Sequence, residues 1–161
     1  LSLHWGMVAA AYPFWFNVAR QTGCLLALQE QVTQAQIIHR LKEQYGDRQT
    51  IFRYSRYVLR SFVVWGVLLD TGTHGCYAKA APLTIADNSQ AALLYESALW
   101  AAPDAKMALG LLQNNPGFFP FQLPALSGHA VSLHNQRLDV ARYGLDDELL
   151  TLKGNRIKPS P

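Results

Sequence analysis

The chain has 161 residues, half of them hydrophobic and 16% charged, and its formal net charge is +3. This composition excludes a disordered chain, and the length suits one compact domain or two small domains that share a core. So few charged residues predict that a partner covers part of the apolar surface. The two cysteines, Cys24 and Cys76, exclude a disulfide framework, so we expect free thiols in a reducing bacterial cytoplasm.

The positive charge is concentrated in the first half of the sequence. Residues 1–80 contain eight Lys or Arg against four Asp or Glu, whereas residues 81–161 contain six against seven. A polyanion-binding module in the first half would have this distribution, and so would a basic face that is merely solvated. Because the sequence begins with Leu1 rather than Met, we expect it to come from a processed or longer chain.

The most hydrophobic stretch, residues 5–28, does not have the pattern of a membrane span. Pro13, Asn17 and Arg20 interrupt it, and no run of about 18 uncharged apolar residues survives. The residues before it also lack the basic start of a signal peptide. We therefore expect no membrane partner and a buried helix from about residue 14 to residue 28. The aromatic and apolar residues expected to close the core or dock a partner are Trp5, Met7, Tyr12, Phe14, Trp15 and Phe16.

A pair of helices joined by a tight turn is predicted next. Residues 29–32 form a connection, and the Thr33 hydroxyl can cap a helix over residues 33–45. Gly46 ends that helix because glycine adopts positive φ without a steric clash, and Asp47 is placed to cap the following helix. The inward residues of the first helix are predicted to be Ala35, Ile38, Leu41 and Tyr45.

The second helix, predicted over residues 48–65, separates apolar and basic residues onto opposite faces. Three arginines, Arg53, Arg56 and Arg60, recur with the same steps as an apolar stripe but are offset from it by two residues. An offset of two residues is about 200° of helical rotation. They should therefore point away from the core and toward an anionic partner. The stripe recurs at steps of three and four residues and consists of Ile51, Ser55, Val58, Phe62 and Trp65.

A glycine-containing hairpin is predicted after Gly66, which ends the second helix. Residues 67–69 and 76–78 have the composition of strands, and residues 71–75 join them as a short loop. Residues 80–82 end the hairpin because proline cannot continue a strand ladder.

The second half of the chain is predicted to contain a helical hairpin. One helix covers residues 89–102, with Asp87 or Asn88 at its start, and a second helix restarts at Asp104 after the break at Pro103 and runs to residue 115. The inward residues of the first of these helices are predicted to be Ala91, Leu94, Tyr95, Ala98 and Leu99.

A small α/β extension is predicted after this hairpin. It begins with an exposed-looking aromatic cluster, Phe-Phe-Pro-Phe at residues 118–121, which must pack on something. The later segments are a brief helix from Pro124 to about residue 134, a strand over residues 138–143, an acidic bend at residues 146–148, a pairing strand at residues 149–152 and a flexible tail at residues 153–161.

Residues 33–45, 48–65 and 67–79 resemble the winged helix-turn-helix superfamily in their order of helix, recognition helix and wing. The resemblance covers about half of the chain and rests on pattern and order rather than on a diagnostic motif. It implies a fold that is mainly α with small β. A winged helix-turn-helix domain would cover residues 1–86, and the helical hairpin with its short α/β extension would cover residues 87–152.

The resemblance implies double-stranded DNA as the partner, because the second helix of this motif enters the major groove. Arginine suits guanine and glutamine suits adenine, and each good bidentate pair contributes ~1–3 kcal/mol of discrimination. The residues expected at base edges are Arg48, Gln49, Thr50, Arg53 and Arg56. The residues expected at phosphates are Arg40, Lys42 and Arg60, with His74 at the wing tip against the backbone or the minor groove.

A protein-interaction module is the main alternative. The loop of the hairpin has no Arg or Lys, and Tyr54 and Tyr57 interleave the arginines, a combination that also anchors protein interfaces. Such a module would dock a protein, or a second copy of the chain, through the basic helix or through residues 118–121. The chain is thus expected to be a transcriptional regulator, a DNA-binding subunit of an assembly such as a phage-defence system, or a homodimerising module without direct DNA contact.

Other chemistry lacks a supporting motif. Ser127 and His129 have no nucleophile elbow around them, and no glycine-rich phosphate loop occurs, so we expect no enzyme and no cofactor. The candidate metal ligands do not have the spacing of a zinc site, so we expect no bound metal. These candidates are Cys24, His74, Cys76, His129 and His134.

Overall fold

A computed structural model describes residues 1–144 and 147–154, apart from the side chain of Tyr143. Over these residues the fold is mainly α-helical with small antiparallel sheets, which confirms the broad fold class. The chain divides into two compact units. The first unit comprises residues 1–13, 84–114 and the described residues from 123 onward, and the second unit comprises residues 14–83 and 115–122.

The second unit contains three long helices, and the middle one begins and ends at residues with clear capping roles. Their ranges are Pro13–Leu26 for α2, Gln34–Tyr45 for α3 and Gln49–Val64 for α4. The Thr33 hydroxyl accepts a hydrogen bond from the Gln36 backbone N–H, and the Gln36 side chain accepts one from the Thr33 backbone N–H. This reciprocal cap fixes the start of α3, as predicted for Thr33. Gly46 follows α3 with a φ of +81°, a conformation that suits glycine.

A three-stranded antiparallel sheet completes the local structure around these helices. Its strands are β1 (Gln31–Thr33), β2 (Leu68–Asp70) and β3 (Cys76–Lys79), in the order β1-β3-β2. Val32 lies opposite Tyr77, and both side chains are buried. The predicted hairpin over residues 67–78 is confirmed as the β2–β3 pair. A short strand, β4 (Leu83–Thr84), follows the hairpin.

Residues 115–122 return to the second unit and complete its core. They form a 3₁₀ turn at Pro116–Phe118 and a two-residue strand that is numbered β6. The Leu83 N–H donates to the Pro120 carbonyl at 2.8 Å. The aromatic cluster packs in the core, as its composition required, and is not exposed: Phe118, Phe119 and Phe121 are only 3–8% exposed. Phe118 packs on Phe16 and Phe119 packs on Phe62, with ring centroids 5.4 and 5.8 Å apart.

The first unit is built around the buried helix α5, Asn88–Ala101. The Asp87 carboxylate caps it by accepting from the Ser89 N–H at 2.8 Å, and all five predicted inward residues are buried. Helix α1, Ser2–Ala11, packs along α5. The remaining elements are β5 (Lys106–Ala108), α6 (Leu109–Gln113), α7 (Gly128–His134), β7 (Leu138–Tyr143) and β8 (Asp147–Leu152), with β6 at Phe121–Gln122 in the second unit.

The helix predicted over residues 104–115 forms only at Leu109–Gln113, and its first part is wrong. Residues 106–108 form β5, which pairs antiparallel with β8 and places Met107 opposite Leu150. Ala105 turns the chain with a φ of +50°, and only the five residues of α6 are helical. A short apolar run nucleates a helix poorly, so the strand hydrogen bonds available from β8 decide its structure. The predicted pairing of β7 with β8 is confirmed, in a three-stranded sheet of order β5-β8-β7.

Other local predictions were also incorrect. Residues 31–33 form a strand instead of a connection, and the brief helix starts at Gly128 instead of Pro124. Residues 2–11, for which no element was predicted, form α1. Asp47 does not cap α4, because Arg48 occupies the N-cap position and the Asp47 carboxylate lies 2.8 Å from the Lys42 ammonium.

The core stripe of α3 is shifted by one side chain from the prediction. Ile38 and Leu41 are buried as predicted, but Ala35 is exposed and Ile37 is buried in its place. Tyr45, at the end of the helix, is half-buried. The rest of the helix therefore presents its polar side chains outward.

The predicted division into residues 1–86 and 87–152 stays a prediction. The chain changes unit close to it, after Leu83, but residues 1–13 belong to the first unit and residues 115–122 to the second. Asp146 of the predicted acidic bend and residues 155–161 of the predicted tail lie outside the described residues.

Two glycines within helices lead to opposite expectations for an added methyl group. A Cβ at Gly23 in α2 would lie 1.9 Å from the Pro116 carbonyl oxygen, whereas a Cβ at Gly6 in α1 would have no neighbour closer than 3.5 Å. We expect Gly23→Ala to lower the free energy of unfolding by ~2 kcal/mol, because overpacking outweighs the better helix propensity of alanine. Gly6→Ala should raise it by ~0.5–1 kcal/mol. Urea unfolding measures both, and a stabilised Gly23→Ala variant would contradict the packing of residues 115–122 on α2.

Candidate nucleic-acid interface

The rotation of α4 is fixed by one buried face. Ile51, Ser55, Leu59 and Phe62 are at most 8% exposed, whereas Val58 and Trp65 of the predicted stripe are only half-buried. The core stripe is therefore narrower than predicted and includes Leu59 instead. Phe62 packs edge-on against Trp15 of α2, with ring centroids 5.3 Å apart. With this face held in the core, the opposite face is left to solvent.

The outer face of α4 carries the predicted cluster of basic and polar side chains. All three arginines of the pattern are exposed, as the helical spacing predicted. Arg48, Gln49 and Thr50, which precede and open the helix, are exposed as well. A concavity of about 340 Å³ runs along this face. It is lined by Gln49, Thr50, Phe52, Arg53, Arg56 and Tyr57.

Three of the arginines on this face are not neutralised by nearby acids. Within the described part of the chain, Arg48, Arg53 and Arg56 form no ion pair with a carboxylate. The Arg53 guanidinium lies 5.2 Å from the centre of the Tyr54 ring. The quadrupole of an aromatic ring attracts a cation above its face. The surface therefore offers several guanidinium groups to an anionic partner without an internal competitor.

A second concavity, of about 380 Å³, joins the helix to the hairpin and is called the hairpin concavity here. His74 lies in it, together with Arg56 and Arg60. Asp70 lies there as well, and its carboxylate accepts a hydrogen bond from the Arg60 guanidinium at 3.2 Å. The structure thus brings His74 close to the arginines of α4, but it also places one acid among them.

Burial raises the pKa of the Tyr77 phenol above its ordinary value, and the Asp70 carboxylate raises it further. The guanidinium groups of Arg60 and Arg56 act in the opposite direction. The neutral phenol is therefore favoured in the folded state. Its contribution to stability is present below the unfolded pKa near 10 and is lost as the pH rises through the folded pKa.

The two predicted phosphate contacts on α3, Arg40 and Lys42, lie apart from the concavities along α4. Arg40 is half-buried and donates to the Gln21 side-chain oxygen at 3.5 Å, beside a separate concavity that also includes His39 and Glu43. Lys42 is paired with Asp47 at 2.8 Å. Neither side chain lines the two concavities of α4.

Three features of this surface were missed in the sequence. Phe52 is 48% exposed, although its position on the helical wheel lies beside the buried stripe. Gln34 and Tyr77 line the hairpin concavity through the pairing of β1 and β3, which local sequence patterns do not reveal. The sequence gives some indication of the Asp70–Arg60 pair, because a residue just before the loop of a hairpin lies near the helix that precedes the hairpin.

Comparison of the chain with protein-family models, with curated proteins and with solved structures found no significant match. None of the helices in residues 1–144 and 147–154 is long and apolar enough to cross a membrane. Over the same residues, no three His, Cys, Asp or Glu side chains are grouped so that they could hold a metal ion.

The electrostatics of the hairpin concavity predict how Tyr77 responds to a substitution. Asp70→Asn should lower the pKa of the Tyr77 phenol, because it removes a negative charge that disfavours the phenolate. The chemical shift of the tyrosine ring carbon that bears the hydroxyl, followed by NMR through alkaline pH, reports this pKa. Asp47→Asn is the matched control, since it removes another exposed, ion-paired carboxylate and should leave Tyr77 unchanged. An unchanged Tyr77 in Asp70→Asn would contradict this geometry.

Proposed function

We propose that residues 14–83 form a winged helix-turn-helix domain that binds double-stranded DNA through the outer face of α4. The order of elements supports this proposal. Two helices, α3 and α4, are joined by the short segment 46–48, and a hairpin follows them. The strand β1 precedes α3 and pairs with the second strand of that hairpin. In such a domain the second helix enters the major groove and the hairpin is the wing.

The observation that carries the proposal is the exposed cationic face of α4. Arg48, Arg53 and Arg56 are exposed and have no carboxylate partner among the described residues. The helix is 16 residues long, and its other face is buried in the core. The first half of the chain, in which this helix lies, also carries the excess of positive charge. A rigid, cationic helix surface is what a major-groove reader requires.

The side chains divide into two groups by position. Arg48, Gln49 and Thr50 at the start of α4, followed by Arg53, would meet base edges. Arg56, which the sequence pattern assigned to a base edge, lines the hairpin concavity with the hairpin residue His74. Both would therefore contact phosphates on either side of the groove. DNA affinity would come mainly from the phosphate contacts, and sequence preference from the first group.

Two further side chains proposed at phosphates, Arg60 and Lys42, are held by acids in the free protein. The Arg60–Asp70 and Lys42–Asp47 pairs are both exposed, and such pairs contribute only ~0.2–1 kcal/mol. Phosphate oxygens can therefore replace either carboxylate at small cost. With about four phosphate contacts, the logarithm of the association constant should fall with the logarithm of the salt concentration at a slope near −3.6.

The experiment is fluorescence polarisation with labelled random and genomic duplexes over a series of salt concentrations. We expect binding tighter than ~100 μM at low salt, the range of non-specific DNA binders. The double substitution Arg53→Ala and Arg56→Ala should weaken binding at least ~10-fold, because it removes one base contact and one phosphate contact.

The matched control for this experiment is Lys106→Ala with Arg142→Ala. It removes the same net charge from two exposed positions of the first unit. The control should retain wild-type affinity. Equal losses in the two double variants would show that net charge, rather than the face of α4, governs binding, and would contradict the proposal.

The position of Asp70 leads to a separate expectation. Asp70→Asn should strengthen DNA binding by about 2–5-fold, because Arg60 would no longer exchange a carboxylate for a phosphate. Asp139→Asn, which removes an exposed carboxylate paired with Lys153, is the control and should have no effect. The same polarisation titrations measure both, and weaker binding by Asp70→Asn would place the DNA elsewhere.

A protein-interaction module is the second candidate function. The observation that favours it is the exposure of Phe52, Tyr54 and Tyr57, by 48, 49 and 62%, among the arginines of α4. Exposed aromatic and arginine side chains together are frequent anchors of protein interfaces. Light scattering separates the two functions: self-association that Tyr57→Ser abolishes, combined with absence of DNA binding, would favour this candidate. The buried residues 118–121 no longer belong to it.

A further inference from the structure

A groove lies between α1 and α5, wholly within the first unit. Its volume is about 420 Å³, within the range of ~300–1,000 Å³ that is usual for small-molecule sites. The groove is independent of the α4 surface and of the proposed DNA binding. Its lining differs from that of the other concavities because most of it is apolar.

The body of the groove consists of apolar side chains that remain exposed to solvent. Leu3 and Met7 lie one turn apart on α1, and Leu93 and Trp100 lie two turns apart on α5. These four side chains are 54, 65, 37 and 53% exposed, respectively. Grouped exposure of large apolar residues in one concavity is unfavourable in water and is typical of a binding surface. An apolar ligand group would be stabilised along them.

The same groove contains a buried carboxylate whose oxygens are already occupied. Glu96 is only 5% exposed. Its Oε1 accepts from the Trp100 indole N–H at 3.2 Å, and its Oε2 accepts from the Asn135 amide at 2.6 Å. The Arg137 guanidinium lies 2.9 Å from the same Oε2. Glu96 therefore positions the groups around it and has little capacity left to bind a cation.

Arg137 supplies the remaining polar contact of the groove. A guanidinium has five N–H donors, and Glu96 engages only the Nη2 end of this one. The Arg137 side chain is 68% exposed. Its other N–H groups have no hydrogen-bond acceptor among residues 1–144 and 147–154, so they can donate to an oxygen that enters from solvent. An apolar groove with hydrogen-bond donors at one place is complementary to an apolar chain with an anionic end.

We propose that this groove binds a small aliphatic monocarboxylate. The acyl chain lies along Leu3, Met7, Leu93 and Trp100, and the carboxylate accepts hydrogen bonds from the outward N–H groups of Arg137. Because Glu96 partly neutralises Arg137, the apolar contacts supply most of the affinity and the guanidinium selects the head group. A ligand with a cationic head would face the guanidinium and is disfavoured.

The test is isothermal titration calorimetry of the full chain with octanoate and with decanoate, each below its micelle concentration. Two additional methylenes should tighten binding ~15-fold, because each buried methylene contributes about a further fourfold in affinity. Decanoate should also shift the tryptophan emission to shorter wavelength as Trp100 leaves water. No binding of decanoate, or equal binding of the two acids, would overturn the proposal.

The head group and the groove are tested separately. Decanol should bind at least several-fold more weakly than decanoate, and decylammonium more weakly still; decylammonium binding as tightly as decanoate would overturn the assignment of Arg137. This comparison uses the unaltered protein, so it does not depend on the stability of an Arg137 variant.

Two matched substitutions locate the site. Met7→Glu places a charge in the groove and should weaken decanoate binding at least 10-fold, and Leu133→Glu, at a 67% exposed position on α7, should leave it unchanged. Equal weakening by both would overturn the location. Light scattering completes the set: a dimer that Met7→Glu dissociates, without decanoate binding, would show that a second copy of the chain covers the groove instead.

Discussion

The packing of Phe62 fixes the rotation of α4 and thereby the direction in which its arginines point. Its ring is fully buried and lies between Trp15 of α2 and Phe119 of residues 115–122, with centroids 5.3 and 5.8 Å away. Edge-to-face contacts of this kind add ~0.5–1.5 kcal/mol each to the burial of a large apolar side chain. They hold α4 at one rotation about its axis. Because of that rotation, the arginines on the opposite side of the helix remain in solvent.

The same constraint explains why the two halves of the chain are interdependent. Residues 115–122 lie far along the sequence from α4, yet they supply Phe118 and Phe119 to its core. Gly23 permits their approach, because the Pro116 carbonyl occupies the place of a Cβ. The cationic surface of the second unit is therefore supported by a segment that belongs, in sequence, to the second half of the protein.

The sequence predicted the elements whose signals are local. The cap at Thr33, the positive φ of Gly46, the hairpin around residues 71–75 and the outward direction of the α4 arginines follow from neighbouring residues. Long-range partners could not be predicted in this way. Burial of Phe118–Phe121 depends on packing against α2 and α4, and β5 forms because β8 offers it hydrogen bonds. The Asp70–Arg60 pair depends on how the hairpin folds back to α4.

The central claim is that the outer face of α4 is the surface that contacts DNA. A titration of the ¹⁵N-labelled protein with a short duplex, followed by NMR of its backbone and arginine side-chain N–H groups, tests this claim most directly. We predict the largest shifts at residues 48–56 and at His74, with small changes along α1 and α5. Shifts confined to other elements, or none at low salt, would contradict the account.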